Sequence, residues 1–295
     1  MQFGLSVYDI TASELADLAI AAEAAGFETL WLGEHLLMPV GYSSVHPTRE
    51  PEQELAAPIV GSATQLTDPL IALAGAAART SRLQLGTAIY LLALRHPLAV
   101  ARAALTLHEL SSGRLLFGAG VGWLQAEFEA LGVPFADRAR RFGESLDILA
   151  LAWAGGPFEY HGNVYDFGQV QLSPAPVPVP LVLGGNTARA LRRAAERADG
   201  WFASGTPSTL DAIRLLAQLE SAQAEAGRVV PQSTYIRASL ASSADIGRYA
   251  EAGVSQLVFW AHELCPAGPR SSGPGRWDRL ASAAADLGVT DAAFS

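Results

Sequence analysis

The sequence predicts an α/β fold, a (β/α)8 TIM barrel formed by one domain over residues 1–295. Three observations carry this reading. Short β-like runs alternate with longer amphipathic runs along the whole chain, the pattern of a parallel sheet wrapped by helices. Eight such units fit within 295 residues, which favours a closed barrel over a doubly wound sheet. Glycine and polar residues gather where the strands end, while the strand bodies are Val, Leu, Ile and Phe.

The first unit pairs a strand over 2–8 with a helix over 11–26, whose Leu15, Leu18, Ala19 and Ala22 share one face and which stops at Gly26. "TLWLGEH" at 29–35 is the second strand. Residues 36–60 carry Pro39, Gly41, Pro47, Pro51 and Pro58 and form an insertion too long for an ordinary connection; such loops are functional or disordered. Thr67 as cap and Pro69 in the first turn open a helix over 67–80. A strand at 83–91, a helix at 96–111, a strand at 114–122 and a helix at 137–153 follow. A second insertion, 156–180, reads as a hairpin turning at 161–163 with a Pro-rich exit. Strands at 181–185, 200–205, 234–240 and 256–262 then alternate with helices at 187–198, 207–227 and 243–253, and a helix at about 275–287 ends the pattern.

Composition narrows the function. Half the residues are hydrophobic and mean hydropathy is +0.21, enough for a large core. A net charge of −9 argues against non-specific binding to nucleic acid or an anionic membrane. Every basic residue is arginine, so Schiff-base chemistry on a lysine is excluded. Cys265 is the sole cysteine, which rules out a disulfide framework and a cysteine zinc site, and no histidines share a metal-ligand spacing. The start "MQFGLSVYDI" has no basic leader and no apolar run approaches the ~20 residues of a membrane span, so a cytoplasmic location is expected.

Active sites in such barrels lie at the C-terminal ends of the strands. Glu34 and His35 end a buried strand there. A histidine in that place is either a structural hydrogen-bonding group or a proton carrier near neutral pH. "LVLGGNT" ends a strand in Gly184 and Gly185 and opens a helix at Asn186 or Thr187; its free N–H groups suit a phosphate, though a plain capped turn reads the same way. "GAGVGW" places Gly118, Gly120 and Gly122 before Trp123, as a tight turn or as a floor that another molecule approaches closely. Its spacing is not that of a dinucleotide fingerprint. Trp123 fits a core or a site equally, and Arg138, Arg140 and Arg141 fit a solvated helix face or a phosphate contact.

The segments "AEAAGFETLWLGEHLLMP", "LGTAIYLLALRHPLAVARAALTLHELSSGRLLFGAGVGWLQAEFEALGVPFADRARRFGESLDIL" and "PLVLGGNTARALRRAAERADGWF" together resemble the luciferase-like monooxygenase superfamily, and within it the branch of coenzyme F420-dependent oxidoreductases. The resemblance implies a barrel with a deazaflavin, F420, or alternatively a flavin, FMN, over the ends of its strands. It implies that the ring lies against Thr87 and Ala88, where members carry a bulge with a non-prolyl cis peptide. Gly120, Val121, Gly122 and Trp123 would border it, Gly184, Gly185, Asn186 and Thr187 would meet its phosphate, and Ser204 would lie beside them. Glu34 and His35 match an acidic-His pair at the reactive face, with His35 relaying a proton and Glu34 fixing the ring or the His tautomer. The sugar-phosphate dehydrogenase of the branch has a glutamate where Trp123 stands and a lysine near Thr206, and this chain has neither. The expected substrate is therefore a small apolar or aromatic molecule stacked on Trp123 under the 36–60 insertion. Hydride transfer with F420 is the expected activity; an FMN-dependent monooxygenase and a non-catalytic flavin- or deazaflavin-binding protein are the rivals. The family also implies a homodimer.

Overall fold

Eight parallel strands close into a ring in the computed structural model, which describes residues 1–42, 45–48, 61, 63–228, 232–266 and 275–289. The ring strands are β1 (Gln2–Val7), β2 (Thr29–Leu32), β3 (Gln84–Thr87) continued by β4 (Tyr90–Leu91), β5 (Leu115–Gly120), β8 (Leu181–Gly184), β9 (Gly200–Phe202), β10 (Ser233–Ala238) and β11 (Gln256–Trp260). Neighbours run β3-β2-β1-β11-β10-β9-β8-β5-β4, and pairing of β3 with β5 closes the circle. A side hairpin, β6 (Phe158–His161) with β7 (Asp166–Val170), is antiparallel. Outside the ring lie α1 (Ala12–Ala24), α2 (Pro69–Ala77), α3 (Pro97–Leu110), α4 (Gln125–Ala130), α5 (Arg138–Ala154), α6 (Ala188–Arg197), α7 (Thr209–Glu225), α8 (Ile246–Glu251), α9 (Ala261–Leu264) and α10 (Leu280–Leu287). Among the described residues no helix is long and apolar enough to cross a membrane.

Local chemistry sets the helix starts. Thr11 and Glu14 form a reciprocal cap on α1, the Glu14 N–H donating to Thr11 Oγ1 at 3.3 Å and the Thr11 N–H to Glu14 Oε2 at 3.1 Å. The cap of α2 is Asp68, not the expected Thr67: the Ile71 N–H donates to Asp68 Oδ1, while the Thr67 hydroxyl is drawn to the carbonyl of Ile10 at 2.6 Å. Glu144 of α5 anchors the hairpin turn by accepting the N–H groups of Asn163, Val164 and Tyr165, each at 3.0 Å.

The structure corrects several boundaries. β2 stops at Leu32, before Glu34. The strand expected over 83–91 breaks at the Ala88-Ile89 peptide, which is cis. The helix expected at 243–253 is a 3-10 turn over Leu240–Asp245 followed by α8, and the helix expected from about 275 begins at Leu280. Most of the 36–60 insertion lies outside the described residues.

Strand alternation sorts the ring into two apolar layers. Leu30, Leu32, Leu115, Phe117, Leu257 and Phe259 face the helices. Trp31, Leu116, Val182, Phe202, Tyr235 and Val258 fill the inside, with Ala88 packed against them. An eight-stranded barrel leaves room for little more than side chains. The inward glycines give that room: a Cβ at Gly86 would meet the Trp31 ring, one at Gly200 the Tyr235 ring at 2.9 Å, and one at Gly118 the Thr87 carbonyl. At Gly120 it would overlap Ile89, and at Gly184 it would meet Ile89 at 2.8 Å. Ile89 thus occupies the inward space beside Gly120 and Gly184. Gly120→Ala is expected to cost about 1–3 kcal/mol by overpacking, and adding Ile89→Ala should recover part of it as a favourable coupling. Denaturant unfolding of the four proteins of this cycle measures it; strict additivity would remove the explanation.

Candidate active site

Glu34 and His35 leave the end of β2 side by side and go to different partners. The Glu34 carboxylate is 7% exposed and accepts from the Leu91 N–H and from Arg95 Nη2, both at 2.6 Å. Burial pushes this carboxyl up, while the Arg95 guanidinium and the Leu91 N–H pull it back. Its work is to hold the chain just after the strand break. It does not touch His35, so the expected role in setting the His tautomer belongs elsewhere.

That role falls to Glu127, on the buried side of α4 and 1% exposed. Its Oε2 lies 2.9 Å from His35 Nδ1, and its Oε1 accepts the Leu36 N–H at 2.8 Å. A carboxylate at Nδ1 holds the proton there and leaves Nε2 to exchange protons. Around the imidazole stand the edges of Tyr8, with centroids 6.0 Å apart, and Trp123, at 5.7 Å. Trp123 also meets His46 at 5.0 Å and Tyr42 at 6.2 Å, which puts it among the rings of the mouth rather than in the core. The Tyr8 hydroxyl is buried and has no hydrogen-bond partner among the described residues. Burial first, then Glu127 and Asp9, raise its pKa, so it remains a phenol with a proton to donate.

Beside this cluster runs an arc of main chain across adjacent strands β3/β4, β5, β8 and β9. Ala88, Ile89, Val121, Gly122, Trp123, Gly184, Gly185, Asn186 and Ser204 are half-buried there, whereas Thr87 and Gly120 are buried. Thr87 is turned to the wall, its hydroxyl donating to the Gly118 carbonyl at 2.7 Å. Gly122 and Gly185 need glycine for conformation, with φ of +87° and +120°. Asn186 clasps the next turn reciprocally: its Nδ2 donates to the Ser204 carbonyl at 2.9 Å and its Oδ1 accepts the Ser204 N–H at 2.8 Å. Trp201 Nε1 donates to the Gly185 carbonyl at 2.8 Å. Thr187 caps α6, its exposed hydroxyl accepting the Ala190 N–H at 3.2 Å. A cavity of about 10 Å³ between Tyr8, Gly33, His35 and Thr67 has the size of a water.

Glu127, Tyr8 and Arg95 were not singled out from sequence. Neither the arginines of 138–141 nor the single cysteine adds to this chemistry. Arg141 Nε donates to the Ala93 carbonyl and Arg138 stacks on Phe135, so these two pack the chain, while Arg140 stays on the solvated face beside Asp137. Cys265 is buried, and burial pushes its thiol up, away from a reactive thiolate.

Comparison with known proteins places the chain in a family. The family model for luciferase-like monooxygenases matches residues 2–287. An F420-dependent glucose-6-phosphate dehydrogenase of Nakamurella multipartita is 30% identical over 255 residues, covering 84% of this chain and 68% of the relative. The coenzyme F420 dependent tetrahydromethanopterin reductase of Methanopyrus kandleri superposes with a TM-score of 0.67 at 19% identity, over 96% of this chain and 97% of the other. The FMN-bound oxygenating constituent of 3,6-diketocamphane monooxygenase from Pseudomonas putida gives 0.64 at 19% identity, over 80% and 66%. At these identities the two solved structures speak for the fold alone. The family match over nearly the whole chain goes further: this protein belongs to the luciferase-like monooxygenase family.

Proposed function

We propose that the protein is an oxidoreductase that takes F420 across the half-buried arc and moves a hydride between it and a small apolar or aromatic substrate held at His35. The observation that carries this reading is the buried His35–Glu127 pair at the same end of the ring as an arc of half-buried residues. The arc suits the group: Ala88, Val121 and Gly185 offer little side-chain bulk, and the turn at 184–187 ends in a helix start. F420 is favoured because the 30%-identical relative is named for it. The likeness to an FMN protein keeps FMN as the second reading.

When bound, the deazaflavin would supply the hydride chemistry, and the barrel the orientation. His35 Nε2 would give or take the proton that accompanies hydride transfer to a carbonyl-like centre. Glu127 would hold the ring in place and stabilise it when cationic. The Tyr8 hydroxyl would donate to the substrate oxygen as charge develops there. Trp123 would cover one side of the substrate and exclude water.

Titration of the protein with F420 and with FMN, followed by tryptophan quenching, is expected to show F420 binding at least tenfold more tightly; the reverse order would favour the FMN reading, and binding of neither would end both. With reduced F420 and a small quinone as acceptor, His35→Ala should lower kcat by roughly 10²–10⁴ while cofactor Kd stays nearly constant. Glu127→Gln should lower it by about 10- to 100-fold. An unchanged kcat in both variants would remove the proton-relay assignment.

A further inference from the structure

Arg237 takes no part in the chemistry above, yet it lies on the inward side of β10. Tyr235 belongs to the inner layer, while Ile236 and Ala238 face outward, so alternation turns Arg237 into the barrel. The residue is 7% exposed. Nε and Nη2 both donate to Ser6 Oγ, at 3.2 and 3.0 Å, and Nη1 donates to the Gly205 carbonyl at 3.2 Å. The guanidinium lies 5.0 Å from the Phe202 centroid and 4.2 Å from that of Trp260. Trp260 is held in place by donating from Nε1 to Thr206 Oγ1.

No carboxylate pairs with this cation among the described residues. Burial alone acts on its pKa, pushing it down to about 10. In a chain with net charge −9, carboxylates are plentiful. A buried charge without a counter-ion is costly unless something else supplies one. A guanidinium carries five N–H bonds, and three are directed at Ser6 and Gly205. Two remain, one on each terminal nitrogen, to donate to an oxyanion. Ser6 precedes Tyr8 by two residues, about 7 Å along the chain, so this end of the mouth is within one small molecule of His35.

We propose that Arg237, braced by Ser6 and Gly205, is an oxyanion subsite that receives the carboxylate or phosphate of a small organic substrate whose reacting atom lies beside Tyr8 and His35. This rests on the mouth being the active site, but not on which cofactor it takes. The anionic tail of a flavin nucleotide or F420 is the other source of the same chemistry.

The test uses the intact protein without cofactor, with benzoate, neutral benzamide and inorganic phosphate as probes and tryptophan fluorescence as readout. Benzoate is expected to quench saturably and to bind at least tenfold more tightly than benzamide, with the signal reduced in Trp260→Phe. Arg237→Gln should abolish that preference, Arg237→Lys should keep part of it, and both should leave F420 and FMN affinity within twofold. Displacement of benzoate by phosphate would extend the subsite to phosphate esters. Equal binding of benzoate and benzamide to the unaltered protein would overturn the proposal, and this comparison stands even where Arg237→Gln does not fold. So would a preference that survives Arg237→Gln, or a tenfold loss of F420 or FMN affinity in that variant with benzoate unaffected. Benzoate preference in a protein that binds neither cofactor would instead sink the redox reading and leave the subsite standing.

Discussion

The arrangement of the mouth depends on how a few large side chains fit inside a narrow ring of strands. Trp31 and Tyr235 occupy the interior only because Gly86 and Gly200 face them, and Ile89 only because Gly120 and Gly184 do. Glycine weakens a strand interior, so these positions are kept for volume at some cost in propensity. With Ile89 pointing inward, β3 cannot run on in register, and pairing with β5 resumes at Tyr90 opposite Ala119. The resumed strand presents the Leu91 N–H to Glu34. Glu34 is thereby committed to the wall, and His35 turns to Glu127.

The order of strands and helices was legible because it is written locally: alternation, caps and glycine stops lie within a few residues of the elements they define. The partners of the mouth are not written that way. Glu127 follows His35 by 92 residues and Arg95 follows Glu34 by 61. No spacing rule links them, and an acidic residue on a short helix looks like solvent-facing surface until the helix is docked. The adjacency of Glu34 and His35 was itself misleading, since β2 ends at Leu32 and two successive residues in irregular chain share no common face. The glycines of 118–122 marked a real constraint whose causes differ along the run: at 118 and 120 a Cβ would meet Thr87 and Ile89, and at 122 the backbone itself requires glycine.

Charge is distributed with the same polarity as the strands. The bodies of the strands are apolar, while buried ionisable groups cluster where the strands end: Glu34 with Arg95, His35 with Glu127, and Arg237. In such surroundings each interaction is stronger than in water and each unmatched charge more costly. Glu34 and Arg95 pair with one another at 2.6 Å and serve architecture. His35, bound through Nδ1, and Arg237, bound through three of its five N–H groups, set this end of the barrel apart from its apolar body.

The clasp between Asn186 and Ser204 bears on how this scaffold could be rearranged. A side-chain amide in one connecting turn takes the place of a strand partner for the next, through both a donor and an acceptor. Two consecutive βα units therefore behave as one exchangeable module at this point of the ring. A chimaera cut between β8 and β9 would sever both bonds at once, whereas one cut before β8 or after α7 would carry the pair intact into a new host.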